Sequence, residues 1–240
     1  MWRAALTELV ATALLMFTLT SSIISCLDSQ DVDPKLLVAL AVFIIAFLFL
    51  MATVPLSGGH MSHVFTFIAC LKGLITLARA SIYVLAQCVG SIMGFLLIRR
   101  VRNHQTAHKY YLGGCTINAN GATSAVSRET ALILEFSCTF VVLFVGVTVG
   151  FDKKRCKELG LAVVCGVVAG VVAGAMALAV FVSVTVTGQA GYAGVGLNPA
   201  RCLGPALLEG GVLWDGHWVF WFGPFLACIV YYAYSINMPN

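Results

Sequence analysis

The stretch Gly194-Val195-Gly196-Leu197-Asn198-Pro199-Ala200-Arg201 decides how the rest of the chain is read. Asparagine is a strong helix N-cap, and proline at the first helical position loses no hydrogen bond that the helix needs. A helix therefore starts at Pro199. The apolar run that follows, 202–208, falls far short of the roughly 20 residues that cross a hydrocarbon core. A similar pattern stands much earlier, where Ser57-Gly58-Gly59-His60-Met61-Ser62-His63 leads into the short apolar run 64–71. There Ser62 takes the cap position, and His63 and Val64 stand where Pro199 and Ala200 stand.

Around these two short segments the chain is built for lipid. It has 240 residues, 60% hydrophobic and only 10% charged, with a mean hydropathy of +0.96. Soluble domains carry roughly 25% charged residues. Six stretches, 5–26, 36–54, 80–98, 130–150, 159–182 and 217–234, are long and apolar enough to span a bilayer. Backbone polar groups in lipid must be bonded within the protein, so these read as helices. The first stretch is a full-length span rather than the short core of a cleavable signal peptide, and none is expected. The longest connection, 101–129, is rich in turn formers (Gly113, Gly114, Asn118, Asn120, Gly121) and too short for a soluble catalytic domain.

The chain also repeats itself. Glu8, Thr12 and Phe17 in the first span recur at the same offsets as Glu135, Thr139 and Phe144 in the fourth. An ionisable group on an apolar helix is costly, so each glutamate should face the bundle interior and accept hydrogen bonds. With three spans per half, the halves have opposite orientation. The short segments then enter the membrane from opposite sides as half-helices, the arrangement that marks a transport site. Their N-termini carry roughly half a positive charge each. Two such ends meeting at mid-membrane form a barrier that neutral molecules pass and protons and cations do not.

Taken together, these features resemble the major intrinsic protein family, the aquaporins and glycerol facilitators, over essentially the whole chain. Further matches are Arg79-Ala80 with Tyr83, Ala86-Gln87 and Gly90, and Asp215-Gly216-His217-Trp218-Val219-Phe220-Trp221 running to Gly223-Pro224. Cys202 directly after Arg201, with the altered first motif, resembles the plant and fungal subgroup called X intrinsic proteins. The resemblance implies an all-α membrane protein with six transmembrane helices and two re-entrant half-helices in an inverted repeat. It implies one channel domain over 1–240, with a first repeat at about 1–101, a connecting loop at about 102–128 and a second repeat at about 129–240. It also implies a cytoplasmic N-terminus, a homotetramer and the plasma membrane. With that orientation, basic residues number seven inside against six outside, so charge asymmetry does not vote on topology. The run Lys153 to Lys157 suits a cytoplasmic loop, whereas Arg99, Arg100 and Arg102 pull the other way.

The same resemblance places a selectivity filter at Val42, Val180, Val195 and Arg201. Val180 is located by counting back from Thr187-Gly188, and Gln189 to Gly194 looks like an insertion. Water-selective members carry an aromatic and a histidine at the two helix positions, where this chain has valines. Apolar walls with one arginine suit polyols, so glycerol, urea, boric acid and hydrogen peroxide are expected to pass, with low to modest water permeability.

The departures from the family pattern each have two readings. The first motif, expected as Asn-Pro-Ala, reads Ser62-His63-Val64, so the pore centre should be asymmetric with Asn198 the main side-chain donor. His63 either fills the space of the missing proline against Pro199 or is a protonatable group in the pore. Cys202 is either a small packing residue or a thiol open to mercurial block or oxidation. Cys26 and Cys115, both expected on the outer side, are either bridged or free. His60 is expected to support its loop by hydrogen bonding, as are Glu8 and Glu135. No metal site is expected, since His60 and His63 lack further ligands. No cofactor, catalytic set or nucleic-acid partner is implied; the partners are small neutral solutes, water and lipid. A non-conducting subunit with a disabled pore is the alternative function, and a secondary transporter is disfavoured because Glu8 and Glu135 look like loop supports.

Overall fold

The computed structural model describes residues 1–29, 33–118, 126–150, 161–187 and 192–237. Among them all regular structure is helical. Six long helices are α1 (Trp2–Asp28), α2 (Pro34–Ser57), α4 (Leu77–Val101), α6 (Arg128–Gly150), α7 (Leu161–Thr187) and α9 (Val219–Ile236). Three short ones are α3 (His63–Leu71), α5 (His104–Lys109) and α8 (Pro199–Glu209). Each expected span lies on one of the six segments long and apolar enough to cross a membrane, which mostly run further at both ends. The first two residues of 159–182, the basic run at 153–157 and residues 189–191 of the segment read as an insertion lie outside the described residues.

Local chemistry sets the boundaries. Asp33 caps α2 by accepting from the Lys35 N–H at 3.0 Å, with Pro34 in the first turn; Gly58, at φ +101°, ends the helix in a left-handed conformation. Thr76 caps α4 through the Arg79 N–H. The outward faces carry Leu14, Leu40, Leu48, Leu85, Ile133 and Phe222 as exposed side chains, a surface suited to hydrocarbon rather than water.

Packing follows a two-fold pattern. α1 lies along α4 and against α2, just as α6 lies along α9 and against α7, while α2 and α7 face each other. Both half-helices, α3 and α8, wedge between α4 and α9. Exchanging α1–α4 with α6–α9 reproduces the arrangement, which is the inverted repeat. Glycines permit the closest approach. A Cβ on Gly90 would meet the Leu9 carbonyl oxygen of α1, and one on Gly94 would meet that of Ala13. Gly170 and Gly174 of α7 face the rings of Phe47 and Phe43 of α2.

Two members of the arginine cluster at 99, 100 and 102 have structural partners. Arg102 donates to the Ser21 carbonyl at 2.7 Å and to the Ser25 hydroxyl, and Arg99 donates to the Leu208 carbonyl at the C-terminal end of α8. Leu208 lies in the last turn of α8, where free carbonyls favour a cation, whereas Ser21 and Ser25 lie within α1, so Arg102 ties the end of α4 to that helix.

Gly94→Val should force α1 and α4 apart at a cost of about 1–3 kcal/mol. Thermal unfolding in detergent should then show a midpoint lower by several degrees.

Candidate solute pore

Two buried carboxylates shape the centre of the bundle. Glu8 accepts from the Ser57 hydroxyl at 2.5 Å, the backbone N–H groups of His60 (3.1 Å) and Met61 (2.7 Å), and the Gln87 amide at 2.9 Å. Glu135 accepts from the N–H groups of Gly196 (2.5 Å) and Leu197 (3.3 Å). Both glutamates are fully buried. Residues 60 and 61 precede the cap Ser62 as 196 and 197 precede the cap Asn198, so each carboxylate binds the same two amides of its own loop. The residue before each cap, Met61 at φ +44° and Leu197 at φ +55°, is left-handed without being glycine. Such a conformation costs on the order of 1–3 kcal/mol and persists where surrounding bonds over-determine it. Here the glutamates do so.

Each loop then launches a half-helix. Ser62 Oγ accepts from the Val64 N–H at 3.2 Å, and Asn198 Oδ1 accepts from the Ala200 N–H at 3.1 Å; both caps are extended, with φ −149°. Pro199 occupies the first position of α8. The loops touch directly, because Asn198 Nδ2 donates to the Met61 carbonyl at 2.9 Å. The serine therefore keeps the capping bond of α3, and the cross-pore amide bond comes from Asn198 alone.

Three cavities abut along the axis. A vestibule of about 400 Å³ at one end is bordered by Lys35, Lys109, Tyr110, Tyr192 and Arg201. A waist of about 80 Å³ follows, lined by Val42, Val180, Val195, Arg201, Ser62 and Asn198. An inner cavity of about 220 Å³ is bordered by Val54, Gly58, Ile68, Val147 and Val172. Ile23, Val38, Ala193 and Arg201 are shared by the first two, and Leu50, His60 and Phe65 by the last two. At the vestibule rim, the Tyr110 hydroxyl and the Asp28 carboxylate hold the Lys109 ammonium above its ordinary pKa.

The four residues placed at a filter by resemblance thus line one cavity, together with apolar side chains of α1 (Leu15, Met16, Leu19 and Ile23) that no motif announced. Their signal in the sequence is only the helical spacing of an apolar stripe that also carries Glu8. Other supports were visible as polar residues in apolar spans but had no assigned role. Ser91 Oγ donates to the Ala200 carbonyl at 2.5 Å, and Ser183 Oγ accepts from the Val195 N–H at 3.1 Å. Gln87 also donates to Thr66 Oγ1, and Tyr83 donates to the Ser57 carbonyl. His60 Nδ1 lies 3.2 Å from Thr66 Oγ1, with its ring edge-on to Tyr83.

His63 lines none of the three cavities. It is buried, with Nε2 3.3 Å from Cys88 Sγ and its ring edge-on to Trp221 at 5.5 Å. Its neighbours include α4, α9, the half-helix it begins and the side chain of Asn198 at the cap of α8. Two cysteine expectations are overturned. Cys115 is bridged to Cys202, 87 residues away, and Cys26 is free. Cys202 consequently has no thiol for mercury or oxidants, and the alternative bridge to Cys26 does not form. The outer loop folds down onto α8, bringing Cys115 within a Cα separation of 5.1 Å, a suitable span for the bond. No group of three or more metal-ligating side chains occurs among the described residues.

Arg201 is buried, and its Nη1 donates to Cys115 Sγ at 3.0 Å while Nη2 donates to the Gly113 carbonyl at 3.4 Å. Neither ion pair found among the described residues includes it. A guanidinium carries five N–H donors, so capacity remains for a solute. With two half-helix N-termini close by, the waist is a largely apolar constriction whose polar groups are mostly donors.

Comparison with known proteins agrees with this geometry. The major intrinsic protein family matches residues 1–233. "Aquaporin PIP2-5" of Zea mays is 29% identical over 246 residues, covering 98% of this chain and 81% of its own. "Probable aquaporin TIP3-2" of Arabidopsis thaliana is 30% identical over 258 residues, covering 99% and 85%. The X-ray structure of the aquaglyceroporin from Plasmodium falciparum superposes with a TM-score of 0.76 at 18% identity, covering 98% of this chain and 96% of that one. The chain belongs to the major intrinsic protein family. It is a multi-pass integral membrane protein of a family of passive channels for water and small solutes, and it is not an enzyme.

Because His63 is buried and lines none of the three cavities, His63→Gln should leave the pH dependence of solute flux between pH 5 and 8 superimposable on that of the wild type. Flux from proteoliposomes, measured at matched inner and outer pH, checks this.

Proposed function

We propose that this chain is a channel for small uncharged solutes such as glycerol, urea, boric acid and hydrogen peroxide, with low to modest water permeability. The observation that carries the reading is the waist, whose lining brings Val42, Val180 and Val195 together with Arg201 and the two half-helix caps. Selection in such a constriction follows its diameter and the polarity of its wall. A polyol replaces its hydration with guanidinium hydrogen bonds and lays its carbon backbone on valine. Water has no carbon to lay on valine and must give up hydrogen bonds to pass three apolar side chains.

In this reading Asn198, Pro199 and Ala200 with Ser62, His63 and Val64 begin the two half-helices, and Glu8, Glu135 and His60 support the loops. Residues 1–240 form one channel domain of two repeats, at about 1–101 and 129–240, joined by a loop at about 102–128. The cysteine after Arg201 favours the X intrinsic protein subgroup, and with it a homotetramer in the plasma membrane. A disabled pore is the competing reading. The intact Ser62 cap and the three abutting cavities favour conduction.

Stopped-flow light scattering on proteoliposomes of the pure protein should show glycerol and urea permeability well above empty vesicles and indifferent to ion gradients; permeability equal to empty vesicles would establish the disabled pore. In the double variant Val42→Phe/Val180→His, the narrowed and more polar waist should shift the glycerol-to-water permeability ratio toward water by about tenfold or more.

A further inference from the structure

The loop above the pore is fastened at one covalent point, and that point lies beside the filter arginine. Cys115 joins the segment after α5 to Cys202 of α8, and both half-cystines are buried. Gly196 leaves room for them, since a Cβ there would collide with Cys202 Sγ. Gly114 lets the loop approach the segment after α8, since a Cβ there would lie 2.7 Å from Leu213. Arg201, the residue before Cys202, donates to the Cys115 sulfur and to the Gly113 carbonyl. Both contacts found for its guanidinium therefore come from a three-residue stretch of loop, and the bridge ties that stretch to the helix bearing the arginine.

The loop backbone does not rest there by preference. Tyr111, Leu112 and Gly113 adopt φ +47°, +51° and +64° in succession, and two of the three carry side chains. Consecutive left-handed residues other than glycine persist only under outside constraint. This turn directs the Gly113 carbonyl at Arg201, and the bridge two residues further on supplies a constraint.

We propose that Cys115 and Cys202 are positioning residues for solute selection: their bridge holds the outer loop against Arg201 and so sets the opening of the waist. This rests on Arg201 acting in the filter. Without the bridge the strained turn relaxes, the guanidinium loses its sulfur and carbonyl partners, and it swings outward into the vestibule. The waist then admits longer polyols. A bridge of this kind persists in an oxidising compartment, which places the vestibule on the non-cytoplasmic face.

The test reads two things in proteoliposomes. Thiol alkylation of denatured, unreduced wild type should modify seven of its nine cysteines, the bridged pair being protected. The permeability ratio of erythritol to glycerol should rise about fivefold or more in Cys115→Ala/Cys202→Ala, the size of one lost hydrogen bond. In an Arg201→Val background the same pair of changes should leave the ratio where Arg201→Val alone puts it. If the double variant does not fold, a trialkylphosphine opens the bridge in the reconstituted wild type: the phosphine is oxidised to its oxide with oxygen from water as the two sulfurs become thiols. Nine alkylated cysteines verify the opening, and the same rise in ratio is expected. Nine reactive thiols before reduction, an unchanged ratio after cutting, or an equal rise with and without Arg201 would each overturn the inference. A wild type that conducts while the cut has no effect leaves the channel reading standing; a wild type that carries neither polyol removes both.

Discussion

Everything in this pore depends on two glutamates buried in apolar helices and bonded to the loops that precede the half-helices. An isolated carboxylate costs several kcal/mol to bring into such an environment. Glu8 meets that cost with four donors and Glu135 with two backbone amides, all charge-assisted. In return the loops are held with Met61 and Leu197 in left-handed conformations, which brings each following residue into position as an extended cap. The half-helices α3 and α8 are too short to be stable alone, and their direction comes from this anchoring and from wedging between α4 and α9.

Selection then arises from what the anchored ends leave unoccupied. The Met61 carbonyl is engaged by Asn198, the N-terminal amides are partly capped, and Arg201 keeps donors toward the cavity. The rest of the lining is mostly apolar, Val42, Val180 and Val195 included. A positive field with few acceptors turns away cations, and the apolar side rewards a solute that has carbon to present. The change from Asn-Pro-Ala to Ser62-His63-Val64 costs little in this scheme, because a hydroxyl caps nearly as well as an amide. Its price is asymmetry: only one side of the centre offers a side-chain amide.

Much of this architecture was readable from residue patterns. Spans follow from apolar length, and the inverted halves follow from Glu8 and Glu135 recurring with matching threonine and phenylalanine. The half-helices follow from a cap ahead of a run too short to cross. What escaped had no local signature. Cys115 and Cys202 lie 87 residues apart, and only the descent of the outer loop onto α8 brings them together. Arg99 and Arg102 read as misplaced charge until the carbonyls they satisfy are seen. His63 read as either packing or pore because the direction of a side chain at a helix start depends on its neighbours; Cys88 and Trp221 come from distant spans. The lining from α1 was hidden for a related reason. Leu15, Leu19 and Ile23 have the spacing of any buried helix face.

The most direct test is the separation of the two loops at the bilayer centre, read from a high-resolution cryo-electron microscopy map of the protein in lipid nanodiscs. The account predicts Asn198 Nδ2 within hydrogen-bond distance of the Met61 carbonyl, near 2.9 Å, with Glu8 and Glu135 each bound to its own loop. A map with the Ser62 and Asn198 loops at opposite membrane surfaces, or with either carboxylate turned away from its loop, would contradict it.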